Sequence, residues 1–557
     1  MEHIVKQRST WLYGAASATG LALILGLTAC GGGSSSSAGS PTGQATIALA
    51  DAPSLDFDHV WITVKQIDFH QLDTASPADS QWLMRPLSTP VTLDLTQYAN
   101  GNLAQVFSNL SLPAGTYRQI RLILVDDEAA LTSSALADAL LYNDQVDYTD
   151  ANGVSHSRPL EIIGPRQGIN LLGTFTIAAG SPLNLVLDFD LDDDVVRFPD
   201  SLGSGLDAFT LKPYLRYFDL AHSGAIVGQV DPTQLAVNGG SAYNLIIKAE
   251  QVSADGTHHE VARATTVRSD GTFTLFPVTV TGGTTQNYDV LVRGRAMETL
   301  IVRGVPVTAA STPTSGATRV SSTALPITAA GEYTMNLSNA MAPTGSWVNL
   351  FQTLPVSLDP AGLPYEVRFR HVNPFTGLIE IPFPLSAGSI QVGDYLAGGT
   401  PGFTAATPVQ GSGGFAAVGG AIQFASSAVV GTLPPLSGTN TSITVPQLAV
   451  APAYAPGQIT VNIATATPGR FTHGELVVSR YGMIVNSLPI DGDLASGGAV
   501  VMSNLPSGTS AGPDKGAYYC AWLRVWNGAS VRPHIVPVLG FADLTTSNSA
   551  ALNVTVP

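Results

Sequence analysis

The chain has 557 residues, a formal net charge of −16 and charged side chains at only 12% of its positions. That acidity excludes a polybasic surface for nucleic acid or anionic lipid. There are two cysteines, Cys30 and Cys520; a disulfide framework is excluded, so the fold must rest on apolar cores, and the length is ample for several of them.

At the N-terminus Lys6 and Arg8 form a short basic start. No side chain in residues 14–29 is charged, and Leu21, Leu23, Ile24, Leu25 and Leu27 make an apolar centre. This is the layout of a secretory signal peptide. The Gly/Ser-rich run after Cys30 stops it short of the about 20 apolar residues that a spanning helix needs. The stretch Leu27-Thr28-Ala29-Cys30 resembles the lipobox of bacterial lipoproteins. The resemblance implies cleavage after residue 29, a diacylglycerol on the Cys30 thiol and a further acyl chain on the freed amine, so that the membrane is a partner through lipid. Two or more acyl chains, at about 0.8 kcal/mol per buried methylene, anchor durably. Residues 30–43 then read as the lipidated cysteine and a flexible Gly/Ser tether. The residue after Cys30 is Gly31 and not Asp, and in the lipoproteins this resembles, that pattern implies the outer membrane. Loss of residues 1–29 removes Glu2, Lys6 and Arg8, which sum to +1, so the mature charge is −17.

Beyond the tether, short alternating runs recur between Gly, Pro, Asn and Asp. The pattern predicts a mainly β chain: multi-domain β-sandwiches with small helical insertions in the first domain. The insertions are expected at residues 132–144 ("TSSALADALLYND") and 95–110 ("LTQYANGNLAQVFSNL").

The first domain is placed at residues 44–221. Its blocks, in order, are "ATIALADAP", "DHVWITVKQIDFH", "LPAGTYRQIRLIL", "LNLVLDFD" and "LKPYLR". Together they resemble the DUF4382 family of bacterial, usually lipid-anchored, extracytoplasmic domains, a resemblance that implies a family and no activity. In the third block Pro113-Ala114-Gly115 reads as a tight turn, with Gly115 free to take positive φ.

Residues 224–340 form the second domain, with about seven short strands. "GAIVGQV", "SDGTFTLFPV" and "YDVLVRG" are similar to the carboxypeptidase-regulatory and transthyretin-like sandwiches, which implies a spacer or stabilising role. Asp270-Gly271 is a turn signal on chemistry alone. Residues 341–440 read as a β-rich region and 441–557 as a C-terminal β-sandwich-like domain.

The acidic run "LVLDFDLDDD" is the first candidate site. On a strand, Leu185, Leu187, Phe189 and Leu191 face one way and Asp188, Asp190 and Asp192 the other, followed by Asp193 and Asp194. Crowded carboxylates repel, and calcium, which takes six to eight oxygens, would hold them; the competing reading is a solvated face that discourages edge pairing. At "HHE", His258, His259 and Glu260 stand side by side, but adjacent strand residues point to opposite faces, so a turn beside "ADGT" is the better account than a chelate. Cys520, in the apolar run "AYYCAWLRVW", reads as a buried hydrophobe. Trp61, Trp82, Trp347, Trp522 and Trp526 are candidates to stack on sugar rings, against the commoner fate of core packing.

No motif names a reaction. HExxH is absent, and "GGGSSSS" lacks the Lys-Ser/Thr of a phosphate loop. The chain therefore reads as a non-enzyme: a lipid-anchored binding or structural protein of the bacterial envelope, with a glycan or another surface protein as its partner. The alternatives are a secreted hydrolase with its catalytic part in 341–557, or a cell-surface adhesin.

Overall fold

A computed structural model describes residues 41–52, 54, 56–72, 79–126, 129–150, 152–162, 168–199, 207–212, 215–237, 245–254, 256–294, 297–329, 332–338, 346–371, 378–384, 389–407, 416–421, 440–444, 455–480, 483–507, 518–528, 533–538 and 540–557. Cys30, the cleavage region before it and the tether up to residue 40 lie outside the described residues. Among those described, no helix is long and apolar enough to cross a membrane.

The chain is mainly β. Among the described residues, eight sheets group in pairs into four sandwich-like units. In each unit the opening strand is central to one of the two sheets and pairs parallel with a later strand: Thr42–Ala52 with Pro182–Asp190, Ser223–Gln229 with Thr318–Arg319, Glu332–Ser338 with Asn440–Thr444, and Ala455–Thr465 with Ser549–Val556. Its other edge takes an antiparallel partner, Ala104–Pro113, Thr272–Thr279, Leu378–Pro384 and Gly498–Ser507 respectively. The parallel pair joins the beginning of a unit to a distant part of it, so the sheet cannot form until most of the unit has been gathered.

In the first unit the smaller sheet, in the order Arg216–Asp219, Pro182–Asp190, Thr42–Ala52, Ala104–Pro113, covers an eight-stranded sheet built around His59–His70. Their facing rows, among them Ile47, Leu49, Val60, Ile62, Tyr117, Leu187 and Phe189, make one core. The second unit's larger sheet runs His259–Thr266, Ile246–Val252, Thr285–Arg293, Thr299–Thr308 and then, in parallel, Ile390–Asp394. The third unit, residues 332–384 with 416–421 and 440–444, thus leaves the chain of the second and lets it return.

Helix is scarce. Within 132–144 a single turn forms at Ser133–Ala137, with Thr132 Oγ1 accepting the Ala135 N–H at its start, as the local pattern predicts. The helix expected over 95–110 is a correction: only the 3-10 turn Leu95–Tyr98 forms there, and Ala104–Pro113 is a strand. Asn100 and Gly101 take φ of +57° and +77°, which ends any helix. Two register irregularities against Thr42–Ala52 then put Ala104 and Phe107 inward at a spacing of three. A bulged strand thereby imitates the helical period.

Several strands are buried on both faces, which is why they read as nearly continuous apolar runs. In Tyr518–Trp526, Ala521, Leu523 and Val525 belong to the fourth unit's core. Trp522, on the other face, packs with Val477, Ile484 and Ile535 against Phe198 and Ala208 of the first unit. Arg524 lies on the same outer face, 1% exposed. It donates from Nε and Nη2 to Glu161 Oε1 at 2.9 and 2.7 Å, and from Nη1 to Glu475 Oε2 at 2.9 Å. Burial works against its charge, but Glu161 and Glu475 outweigh that and raise its pKa. Replacing Arg524 by Ala would leave two carboxylates buried without their cation, which costs about 3–5 kcal/mol. Denaturant unfolding of the full chain should show this loss; a change under about 1 kcal/mol, the size expected of an exposed pair, would mean that water reaches the seam.

Candidate functional site

The acidic run lies at the end of Pro182–Asp190 and in the short helical turn Leu191–Asp194. The predicted alternation holds through the strand. Leu185, Leu187 and Phe189 face the first unit's core, whereas Val186 packs on the opposite face with Ala48, Ala50 and Phe218. That opposite face is not solvated: Asp188 is fully buried. The helical turn then redirects Asp192, Asp193 and Asp194, so the five carboxylates do not form one row.

Every carboxylate has a partner, Arg216 being shared by Asp188 and Asp190. Asp188 takes Arg263 Nη1, from the second unit, on Oδ1, and Arg216 Nη2 on Oδ2 at 2.8 Å. Asp190 Oδ2 stands 3.5 Å from Arg216. Asp192 accepts from Ser54 Oγ at 2.5 Å, and Asp193 from Lys212 Nζ at 2.7 Å. Asp194 Oδ2 accepts the Asp190 backbone N–H at 2.8 Å; burial, and next the neighbouring Asp193, push its carboxyl well above the usual carboxylate range. Among the described residues no group of three or more His, Cys, Asp or Glu stands where it could hold a metal ion. Arg263 and Arg216 neighbour Asp188, Arg216 neighbours Asp190, and Lys212 neighbours Asp193.

The residues missing from the sequence reading are Arg263 and Asp51. Arg263 is 1% exposed and also donates from Nη2 to the Asp51 carbonyl at 2.8 Å. The Asp51 side chain is fully buried, and its two carboxylate oxygens have no hydrogen-bond partner among the described residues. Burial holds its carboxyl well above the usual range; Arg263 pulls the other way, and Asp188, Asp190 and Asp194 add to the rise. The direction follows from burial, since a neutral carboxyl is far cheaper to bury than a charge. Beside this pair the Asn100–Gly101 turn docks on the second unit: Asn100 N–H donates to Thr265 Oγ1 at 2.9 Å, and Arg268 Nη2 donates to the Asn100 carbonyl at 2.6 Å. A Cβ on Gly101 would sit 2.7 Å from the Thr274 methyl. The local signal for these residues was a lone charge in an otherwise apolar or small-residue strand, as in "EVARATT".

His258, His259 and Glu260 are all buried and diverge. His259 stacks on Tyr365 with centroids 3.8 Å apart and planes at 6°. His258 meets the Phe351 edge at 6.3 Å, and Glu260 accepts from Gln251. Burial lowers the pKa of His259. Tyr365 OH donates to Asp289 Oδ2 at 2.6 Å, tying the third unit to the second. Trp82, Trp522 and Trp526 are buried and Trp61 is half-buried, its Nε1 donating to Asp147. The side chain of Trp347 lies outside the described residues. Burial pushes the Cys520 thiol up to about 12.

Residues 42–213 match the family model described as a domain of unknown function, DUF4382. No curated protein matches the chain. Among solved structures, the Bacillus anthracis TIE protein is similar over 94% of this chain and 75% of its own, at 8% identity and a TM-score of 0.15. The shaft pilin SpaA from Lactobacillus rhamnosus GG is similar over 41% and 98%, at 11% identity and 0.19. A streptococcal ancillary pilin is similar over 60% and 99%, at 9% identity and 0.15. Scores this low carry no inference about what the chain does.

The raised carboxyl of Asp51 has a definite pH signature. An acid whose folded-state pKa is raised binds more protons folded than unfolded. Its contribution is therefore present below the ordinary aspartate range and is lost as pH rises through the raised value. Asp51→Asn keeps the neutral form at every pH, so its stability relative to the parent should improve from about pH 5 to about pH 8, by at most about 1.4 kcal/mol per pH unit. Melting curves of both proteins across that range check it; a constant difference would mean that Asp51 titrates as it does unfolded.

Proposed function

We propose that this chain is a lipid-anchored structural protein of the bacterial envelope, outside the cytoplasm, in which a DUF4382-like head and its sandwich modules form one stiff block on a flexible tether. The observation that carries this reading is the use made of the charged residues. Asp188 with Arg263, Glu161 with Arg524, and Asp289 with Tyr365 join one unit to another. A carboxylate that performs acid–base chemistry must reach a substrate within hydrogen-bond distance; one locked to an arginine inside a seam holds two modules in register. The likeness of residues 224–340 to carboxypeptidase-regulatory and transthyretin-like sandwiches supports a spacer role for the second unit. The N-terminal sequence up to Cys30 supports the anchor, and Gly31 after it the outer membrane. What the block displays is a surface for a glycan or another envelope protein.

Cys30→Ser tests the anchor. In detergent-phase partitioning of cells labelled with radioactive palmitate, the parent should enter the detergent phase and carry label, and the variant should appear unlabelled in the aqueous phase. A variant that remains in the detergent phase would overturn the anchoring. The released variant also reports on stiffness: X-ray scattering in solution should fit one rigid particle, and a profile requiring freely jointed domains would overturn the block.

A further inference from the structure

In the seam between the second and third units one carboxylate holds both a lysine and an asparagine. Lys248 projects from the outer face of Ile246–Val252, opposite Ile247 and Ala249, which belong to the second unit's core. Asn349 comes from Ser346–Thr353 and Glu366 from the neighbouring Pro364–His371. The three are 7%, 6% and 3% exposed. Lys248 Nζ lies 3.4 Å from Glu366 Oε1 and 3.2 Å from the Glu366 carbonyl. Asn349 Nδ2 donates to the other carboxylate oxygen, Oε2, at 2.8 Å. The amine and the amide are thus held on the two oxygens of a single carboxylate. Asn349 Oδ1 is buried and accepts no hydrogen bond among the described residues.

We propose that Lys248 and Asn349 become joined by an isopeptide bond, with Glu366 carrying the protons. Glu366 takes a proton from the Lys248 ammonium, and the freed Nζ lone pair attacks Cγ of Asn349. The Nζ–Cγ bond forms and the carbonyl oxygen takes up the negative charge. As it collapses, the Cγ–Nδ2 bond breaks, and the leaving nitrogen takes the proton from Glu366 and a second from Nζ. The products are a secondary amide and an ammonium ion; Glu366 is regenerated as carboxylate, and nothing is oxidised or reduced. The arrangement supplies what such a step needs: a nucleophile and an electrophile held on the two oxygens of one carboxylate, which is the proton carrier, and burial that excludes the water that would otherwise hydrolyse the amide. Glu250, behind Glu366, accepts the Glu366 backbone N–H at 3.1 Å and orients that strand. Burial pushes its own carboxyl up, with Lys248 pulling the other way. The link would give this chain, which has no pair of cysteines to oxidise once Cys30 is acylated, a covalent tie between two modules.

Peptide mapping of the denatured full chain decides the matter. Trypsin cannot cut after an acylated lysine, so residues 217–263 should be recovered joined to residues 320–368, with a mass one ammonia below the sum of the two peptides. Glu366→Gln, which keeps the size and the amide contact but cannot carry the proton, should give the two segments separately and a cut after Lys248. Parent protein with Lys248 cleaved and Asn349 at its unmodified mass would overturn the bond, and a joined product in Glu366→Gln would overturn the role of Glu366.

Discussion

Charge buried between sheets is the constraint on which the rest of this structure depends. A sandwich needs one apolar face per sheet, and the strands of each unit supply it. Here the outer faces of several sheets are covered as well, and those faces carry Asp188, Arg263, Lys248, Glu366, Glu161, Glu475 and Arg524. Removing such groups from water is costly, and the cost is offset only when each meets a partner in good geometry. The partner belongs to another unit in the pairs Asp188–Arg263, Lys248–Glu366 and Glu161–Arg524. Separating the modules would expose these ions singly, so the ion pairs specify which face meets which, while the apolar residues around them, such as Trp522 on Phe198 and Ala208, provide the attraction.

The units share a plan that their sequences do not display. Each opens on a strand that is sandwiched between an antiparallel neighbour and a parallel one from much later in the unit. Parallel closure makes the unit cooperative, because the opening strand has no complete sheet until its distant partner arrives. It also explains how the second and third units can share one stretch of chain. The strand Ile390–Asp394 returns to pair beside Thr299–Thr308 before the third unit's last strands, Ala416–Ala421 and Asn440–Thr444, so the two units are interleaved along the chain. Turn chemistry marks the local joints of this plan: at Asp270-Gly271 the aspartate side chain accepts the Thr272 N–H and Gly271 takes φ of +83° against the Val230 carbonyl.

The carboxylates of 188–194 show how a striking composition can belong to architecture. Five acidic side chains within seven residues invite a cation. The protein supplies cations covalently, as Arg216, Lys212 and, across the seam, Arg263. The same holds for the tryptophans, of which Trp82 lies under the Arg121 guanidinium at 4.0 Å, and for the two histidines, which turn to different aromatic neighbours of the third unit.

Composition and periodicity alone determined the class of this protein: acidic, mainly β and divided into sandwich-like modules; the motif blocks of the first unit separately carried its resemblance to DUF4382. These are local properties, since strand alternation, turn residues and caps act over a few positions. Alternation along 185–191 even told the core face of that strand from the other. What covers the other face was decided only in three dimensions. Period two says that Asp188, Glu161 and Arg524 point away from their own core; whether they then meet water or an opposite charge depends on a residue 75 positions away for Asp188 and 363 away for Glu161. Bulges decided the strand at Ala104–Pro113 in the same manner, because an extra residue is defined by the partner it fails to pair with. The joining of modules belongs wholly to the tertiary structure, since a buried ion is stable only where its distant partner has already been brought.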